Sequence, residues 1–533
     1  MNCLIHLLLV TFVGWQVEAA SRDTDAACQA LFSLYPGQLV WDPLSLNGLR
    51  TISSAKLYKQ ANFDYWNAEN SLNRPSCVFF PSGAEETSFA IQTLNKHPSV
   101  PFALKSGGHN GNFGFSSVDK GVMIAFRPNT QYVHPSTDGK TVDIGAGAKW
   151  EDVYRTLEPL GKTVVGGRLG DVGVTGLSLG GGFSYLSAQR GFTCDSISNF
   201  ECVLANGTIV NANATSHSEL YFSLRGGGNQ FAVVTKLTMR TYDSGIDGKV
   251  WGGVRTYLGV QHADILAAVA RFTEGNKDPK AAIIPTFNFV SVAVLNVPAI
   301  IIAFFYDGPT PPAGVFDDFD AIESLSDNTK TRPFESLTRE LLAGNYKGLR
   351  FNIAVNTFPN MPAQNMTSFL HEHFELVREA SIKAGVLDLL DFKSFSFAVQ
   401  PMSHDIVQAS QNTGGGNALG MVADHGDRVW IEYDLSWASP LCDSHCADFL
   451  KKLVTEAHDL HVQKYSGIYP TNYKSGDLEY LSYNPVFMND AMDGQKVLQS
   501  YGGNNFRRLQ EAKKAYDPTG FFTNRQGGFK LTG

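Results

Sequence analysis

Two glycine-dense stretches carry the residue types best suited to chemistry: Lys105-Ser-Gly-Gly-His109-Asn-Gly111, and Gly166-Gly-Arg-Leu-Gly170-Asp-Val-Gly-Val-Thr-Gly176-Leu-Ser-Leu-Gly180-Gly-Gly182. Glycine lets a backbone take positive φ or come close to a bound group. Successive bare N–H groups in such turns form a concavity that suits a phosphate. Two such turns can line both sides of a diphosphate, although either alone reads equally well as a tight turn between strands. His109, inside the first, adds a nucleophilic imidazole. A third glycine cluster, Leu224-Arg-Gly-Gly-Gly228-Asn-Gln-Phe-Ala-Val-Val-Thr235, runs into a strand. The spacing Gly170-x-x-Gly173-x-x-Gly176 is not the G-x-G-x-x-G of nicotinamide dinucleotide folds. That argues against a nicotinamide-dependent dehydrogenase.

The surrounding elements must hold these turns in place. Cys77-Val-Phe-Phe80 reads as a short buried strand, and 84–95 has helical spacing through Phe89, Ile91 and Leu94. Pro101-Phe-Ala-Leu104 is a second strand leading into the first glycine turn. Strand, helix and strand at these distances indicate a βαβ unit. Further strands are expected at 121–126, 141–145 and 199–204, the last joined to 208–210 by an Asn206-Gly207 hairpin turn. From about residue 248 the character changes. Long apolar or alternating runs such as 281–284 and 299–306 indicate antiparallel strands, with helices near 262–272, 365–384 and 446–461. A sheet with helices on one face follows. In Val429-Trp-Ile-Glu-Tyr-Asp-Leu-Ser-Trp437, Trp430, Glu432, Asp434 and Ser436 share one face, and Ile431, Tyr433, Leu435 and Trp437 the other. If helices cover the apolar face, Glu432 looks away from them.

From Arg74 to Tyr242, and again over Tyr501-Gly-Gly-Asn-Asn505-Phe-Arg-Arg508, Lys513–Pro518 and Phe521-Phe522, the sequence resembles a known family. These are the FAD-linked oxidases of the berberine bridge enzyme type, within the vanillyl-alcohol oxidase superfamily. The resemblance implies an α+β protein, with an FAD-binding domain and a second α+β substrate domain whose antiparallel sheet is covered by helices. It implies that His109 becomes covalently joined to the flavin. It places Lys105, Ser106, Gly107, Gly108, Asn110, Gly170, Asp171, Val172, Gly173, Thr175, Gly176, Gly182, Val233 and Asn505 around the cofactor. Doubly linked members carry a cysteine where Leu169 stands, so one covalent link is implied here. Val172 falls at the family's oxygen gate, where a small side chain goes with use of O2 as electron acceptor. Ala232 replaces a usual glycine beside the adenosine half. The catalytic base is left between Glu432, where relatives put Glu or Gln, and Tyr480, in a Tyr480-Leu-Ser-Tyr483 segment resembling a family motif but with Ser482 for Asn. A tyrosine base needs its pKa of about 10 lowered, whereas a carboxylate starts closer to the working range. The activity implied is oxidation of a small organic metabolite (an alcohol, an amine or a reduced ring). A carbohydrate oxidase is the alternative, and a flavin-fold protein without catalysis the reading from another class.

At 533 residues the chain exceeds one core. The resemblance divides it into a leader (1–19), an N-terminal arm (20–73), the FAD domain (74–245), the substrate domain (246–480) and a C-terminal segment returning to the FAD domain (481–533). A net charge of −8 with no basic block argues against nucleic-acid or anionic-membrane partners. Residues 4–13 are apolar but too short to span a bilayer, and Val17-Glu-Ala19 has small residues where a signal peptidase cuts. A secretory signal is therefore expected, with a membrane-anchoring N-terminal helix as the alternative, and so a secreted or vesicular location with Asn206, Asn213 and Asn365 as glycosylation acceptors. Of the six cysteines left after such cleavage, the resemblance pairs Cys28 with Cys77. Cys442 and Cys446 read either as a small-loop bridge or as two thiols on one helix face. Cys194 and Cys202 read as buried thiols, and no metal site is expected.

Overall fold

A computed structural model describes residues 22–52, 54–276, 278–292, 295–340, 348–387, 393–413, 416–474 and 484–531. The leader and the Tyr480 and Tyr483 positions lie outside the described residues.

The N-terminal half is built on two sheets. In the first, strands Leu39–Trp41, Cys77–Phe79, Val122–Ala125 and Phe102–Lys105 lie in that order, the last three mutually parallel. The expected crossover is present with one difference: Val122–Ala125 lies between the two strands that the helix connects. That helix, Ala84–Lys96, starts after Gly83 with Glu85 and Glu86 in its first turn and ends on Lys96, which complements its dipole. Its Ile91 and Leu94 are fully buried with Val100, Phe102 and Phe522, so a C-terminal residue completes this core. The disulfide Cys28–Cys77 ties the first helix, Arg22–Leu34, to the same sheet. The second sheet is antiparallel, in the order Val133–Pro135, Thr141–Gly145, Val233–Arg240, Ile197–Val203 and Ile209–Asn213. The Asn206-Gly207 hairpin joins its last two strands, with Gly207 at φ +85°.

An eight-stranded antiparallel sheet dominates the rest. Val250–Leu258, Leu295–Tyr306, Ala281–Val292, Lys393–Met402, Arg428–Trp437 and Arg350–Pro359 are neighbours in that order, with two short strands at the Val250 edge. Helices His262–Gly275, Ala363–Leu387 and Asp443–Tyr465 cover one face. Phe369, Leu370, Phe374, Leu450 and Leu453 pack there against Phe287, Phe397, Ile431 and Tyr433, all essentially inaccessible. Each such side chain contributes roughly 1.5–3 kcal/mol on burial. A second disulfide, Cys442–Cys446, closes the first turn of the last of these helices, and Cys194 and Cys202 are buried thiols. The uncovered face of the sheet turns towards the N-terminal half, where Trp430 and Val355 join its core.

Candidate active site

A cavity of about 390 Å³ lies between the glycine turns and the open face of the large sheet. Ser106 to Gly111 line it from the first turn. Arg168, Leu169, Val172, Gly173, Thr175 and Gly176 line it from the second, and Gly228, Ala232 and Val233 from the third cluster. Opposite stand Ile353, Glu432 and Asp434 of the sheet, with Phe487 to Asp490 from the C-terminal segment. The two faces of the 428–437 strand separate as alternation predicts. Ile431, Tyr433, Leu435 and Trp437 meet the helices, and Glu432 and Asp434 meet the cavity.

The two glycine turns abut backbone to backbone. A Cβ on Gly107 would lie 2.5 Å from the Gly173 nitrogen, and one on Gly173 would lie 2.6 Å from the Gly107 nitrogen. No side chain fits at either place, which is why both are glycine. Gly108, at φ +74°, then turns the chain so that its carbonyl accepts from the Trp66 backbone N–H at 3.0 Å. The Trp66 indole stacks on the His109 ring (5.2 Å between centroids, 9° between planes), and Phe351 of the large sheet stacks on the indole at 4.1 Å. His109 is thus held by an arm residue and a substrate-sheet residue as well as by its own loop. Its Nε2 lies 3.6 Å from Asp171 Oδ1, so Asp171 approaches the imidazole from the second turn.

Other expected cofactor residues sit elsewhere. Lys105 points away from the cavity: its Nζ donates to the Ala61 carbonyl at 2.5 Å and lies over the Tyr65 ring. Burial pulls that ammonium down to about 7. Gly170 and Gly182 support the second turn without lining the cavity. Glu151 N–H donates to the Gly170 carbonyl, and Gly182 N–H donates to Asn489 Oδ1. Asn505 donates to the Asn417 and Ala418 carbonyls, away from the cavity. Asn110 and Val233 are at the cavity wall; Thr175, also there, donates its hydroxyl to the Ala146 carbonyl.

The sheet side holds more ionisable groups than the sequence suggested. Gln400, fully buried on the neighbouring strand, donates from Nε2 to Glu432 Oε2 at 2.6 Å and to Asp490 Oδ2 at 3.4 Å. Its Oε1 accepts from Arg168 at 2.5 Å, and the Arg168 guanidinium lies 5.0 Å from the Phe183 ring centre. Desolvation, followed by the charges of Asp490 and Asp434, pushes Glu432 well above the ordinary carboxylate range, while Arg168 and Gln400 oppose it. Desolvation likewise raises Asp434 and Asp490. Asp490 raises both Glu432 and Asp434 through its charge, so the three carboxyl groups do not ionise independently. Asp490, Gln400, Arg168 and Trp66 were missed in the sequence because nothing in their local patterns marks them. The nearest signal was the polar face of the 428–437 strand, which required a partner.

The cavity fits FAD on two observations. Ser106 Oγ is buried at its wall with no hydrogen-bond partner among the described residues, and a Cβ on Gly176 would meet nothing within 4 Å. A polar donor and unfilled space beside bare backbone are what a flavin dinucleotide requires. Residues 75–213 match the FAD-binding domain family, and residues 471–527 the berberine and berberine-like family. An FAD-linked oxidoreductase of Arthroderma benhamiae is 34% identical over 486 residues, covering 89% of this chain and 91% of the relative. The chain belongs to the berberine bridge enzyme-like family of FAD-linked oxidoreductases. An FAD-dependent monooxygenase of Aspergillus calidoustus, 31% identical, covers 89% of this chain and 86% of the relative. The fold is also that of berberine bridge enzyme from Eschscholzia californica, with a TM-score of 0.67 at 16% identity over 94% of this chain and all of the other. Membership assigns the cavity to FAD and the chain to redox catalysis. The family's α+β fold is the one described above. Among the described residues no group of His, Cys, Asp and Glu is arranged to hold a metal.

Proposed function

We propose that this chain is an oxidase that binds FAD through a single covalent bond at His109 and oxidises a small organic metabolite, an alcohol, an amine or a reduced ring. The observation that carries the reading is the meeting of His109, on its glycine turn, and Glu432, on the sheet, at one cavity. The chemistry FAD supplies when bound is acceptance of hydride at N5 and return of two electrons to O2, giving H2O2. His109 would hold the flavin through an imidazole nitrogen, and the Trp66 stack sets the plane of its ring. Forming that bond would take a proton from the His109 imidazole and a hydrogen from the flavin methyl group, with O2 as acceptor of the two electrons. Leu169 at the cavity wall offers no thiol for a second bond.

Glu432 accepts the substrate's proton as hydride departs. Burial raises its proton affinity, which makes it a stronger base than a solvated carboxylate. The Arg168 charge opposes that rise. Val172 stands at the same wall, and its small side chain supports O2 as the electron acceptor. Tyr480 remains the rival base, and Tyr480→Phe beside Glu432→Gln separates the two. The relative from Aspergillus calidoustus is described as a monooxygenase. Turnover under ¹⁸O2 separates the outcomes: an oxidase places the label in H2O2, a monooxygenase places one atom in the product.

The deciding experiment is denaturation of the purified yellow protein in acid, followed by mass analysis of its peptides. Flavin mass on the peptide containing His109 is the expected result; release of all the FAD overturns the covalent link. A panel of alcohols, amines and reduced heterocycles, screened anaerobically for bleaching, identifies the substrate class. We also propose entry into the secretory route. Its support is the apolar leader 1–19, the two disulfides and the sequon Asn206, which is exposed on its hairpin. Asn213 and Asn365 are half-buried, and the Asn213 amide donates to Asn199.

A further inference from the structure

We propose that Gln400 is a positioning residue that, locked by Arg168, holds Glu432 in its proton-accepting form. The inference rests on Glu432 being the base. A guanidinium carries five donors and no acceptor. With Arg168 at 2.5 Å, the Gln400 amide must therefore turn its oxygen towards the arginine. Its NH2 group is then committed to the other side, where it meets Glu432 Oε2 at 2.6 Å and Asp490 Oδ2 at 3.4 Å. Gln400 has no exposed surface, so water does not compete for either end. A donor aimed at a carboxylate oxygen favours the ionised acid, because the protonated form gains less from it. It also occupies Oε2, leaving Oε1 as the oxygen available to a substrate proton. Gln400 stands opposite Trp430 in the strand register and Ala398 stands opposite Glu432, so the amide reaches its carboxylate diagonally across the pair of strands.

Several groups act on Glu432 at once. Asp434 on its own strand and Asp490 from the C-terminal segment oppose ionisation; Arg168 from the second glycine turn supports it, and His109 supports Asp490. Among the described residues, only Gln400 does so by a direct hydrogen bond whose direction another residue dictates. Arg168 thus acts twice, as a charge and as the lock on the amide.

The test is an infrared pH titration of the FAD-loaded protein, which needs no substrate. The protonated-carboxyl band lost in Glu432→Gln identifies Glu432. Gln400→Leu keeps the bulk and removes the donor, so the proton affinity of Glu432 should rise about ten- to a hundredfold, moving the band's midpoint alkaline by about one to two pH units. Arg168→Met should move it the same way, and Arg168→Lys, which still only donates, should restore most of the wild-type midpoint. Retention of flavin absorbance and a cooperative melt establish that each variant is folded, and Arg168→Met carries the test if Gln400→Leu does not fold. A midpoint in either folded variant within twofold of wild type overturns the clamp. The base assignment fails separately, if Glu432→Gln reduces its flavin with substrate at the wild-type rate.

Discussion

The two walls of the cavity are made differently. The glycine wall consists of backbone from three short stretches of one half of the chain, and its essential property is absence of bulk. The sheet wall consists of side chains from distant places: Glu432 and Asp434 from one strand and Asp490 from near the C-terminus, with Gln400 of the next strand bonded to Glu432 from behind and Arg168 reaching over from the opposite side. Where Gly107 meets Gly173, the first wall has no room for a side chain. The second is a balance of charges that a single proton or donor can move. In the proposed function, binding of the cofactor belongs to the first wall and tuning of the reaction to the second.

The largest expected effect removes the base and leaves the glycine wall intact. Glu432→Gln should slow reduction of the flavin by substrate about 10²- to 10⁴-fold, with flavin attachment unchanged; stopped-flow absorbance under anaerobic conditions measures it. A variant that fails to attach flavin would mean the walls are not separable. Next comes the converse. Gly173→Val places carbon against the Gly107 backbone and should cost about 1–3 kcal/mol or more. FAD content and melting temperature should fall together, whereas a yellow protein of normal stability would show that the turns can part.

A third test uses pH. The three carboxyl groups have folded-state pKa values above their unfolded ones. Their contribution to stability is complete below the unfolded values, near 4, and is lost as pH rises through the raised ones. Asp434→Asn, which cannot ionise, should therefore melt higher than wild type at pH 8, with the difference vanishing near pH 4. An equal difference at both pH values would remove charge as the cause. The smallest effect is expected at the seam between the walls. Trp66→Ala deletes the stack under His109, worth about 0.5–1.5 kcal/mol beyond its buried area. Covalent attachment should slow while non-covalent binding of FAD persists, which a time course of acid-stable flavin reads directly.

How much of this was legible depended on the range of the interaction. The strand 428–437, the helix 84–96 and the hairpin at Asn206-Gly207 follow from periodicity and turn chemistry, because a pleat or a helical turn repeats within a few residues. The expected crossover passed over a neighbour, since the place of Val122–Ala125 between its strands depends on pairing that no local pattern encodes. Lys105 stood in the glycine motif and so looked like a cofactor ligand. Tertiary packing placed Tyr65 and the Ala61 carbonyl within its reach instead.

By itself, the amino-acid sequence determined the glycine turns with His109 inside the first, the apolar and polar faces of the Glu432 strand, and the family to which both belong. All are matters of residue type at short spacing. Only the tertiary structure decided that Trp66 and Phe351 stack beneath His109 and that Asp490 and Gln400 surround Glu432. It likewise decided that Arg168 dictates which way an amide points. The reason is physical: desolvation and hydrogen-bond direction are properties of an enclosed space, and that space exists only when segments hundreds of residues apart are folded around it.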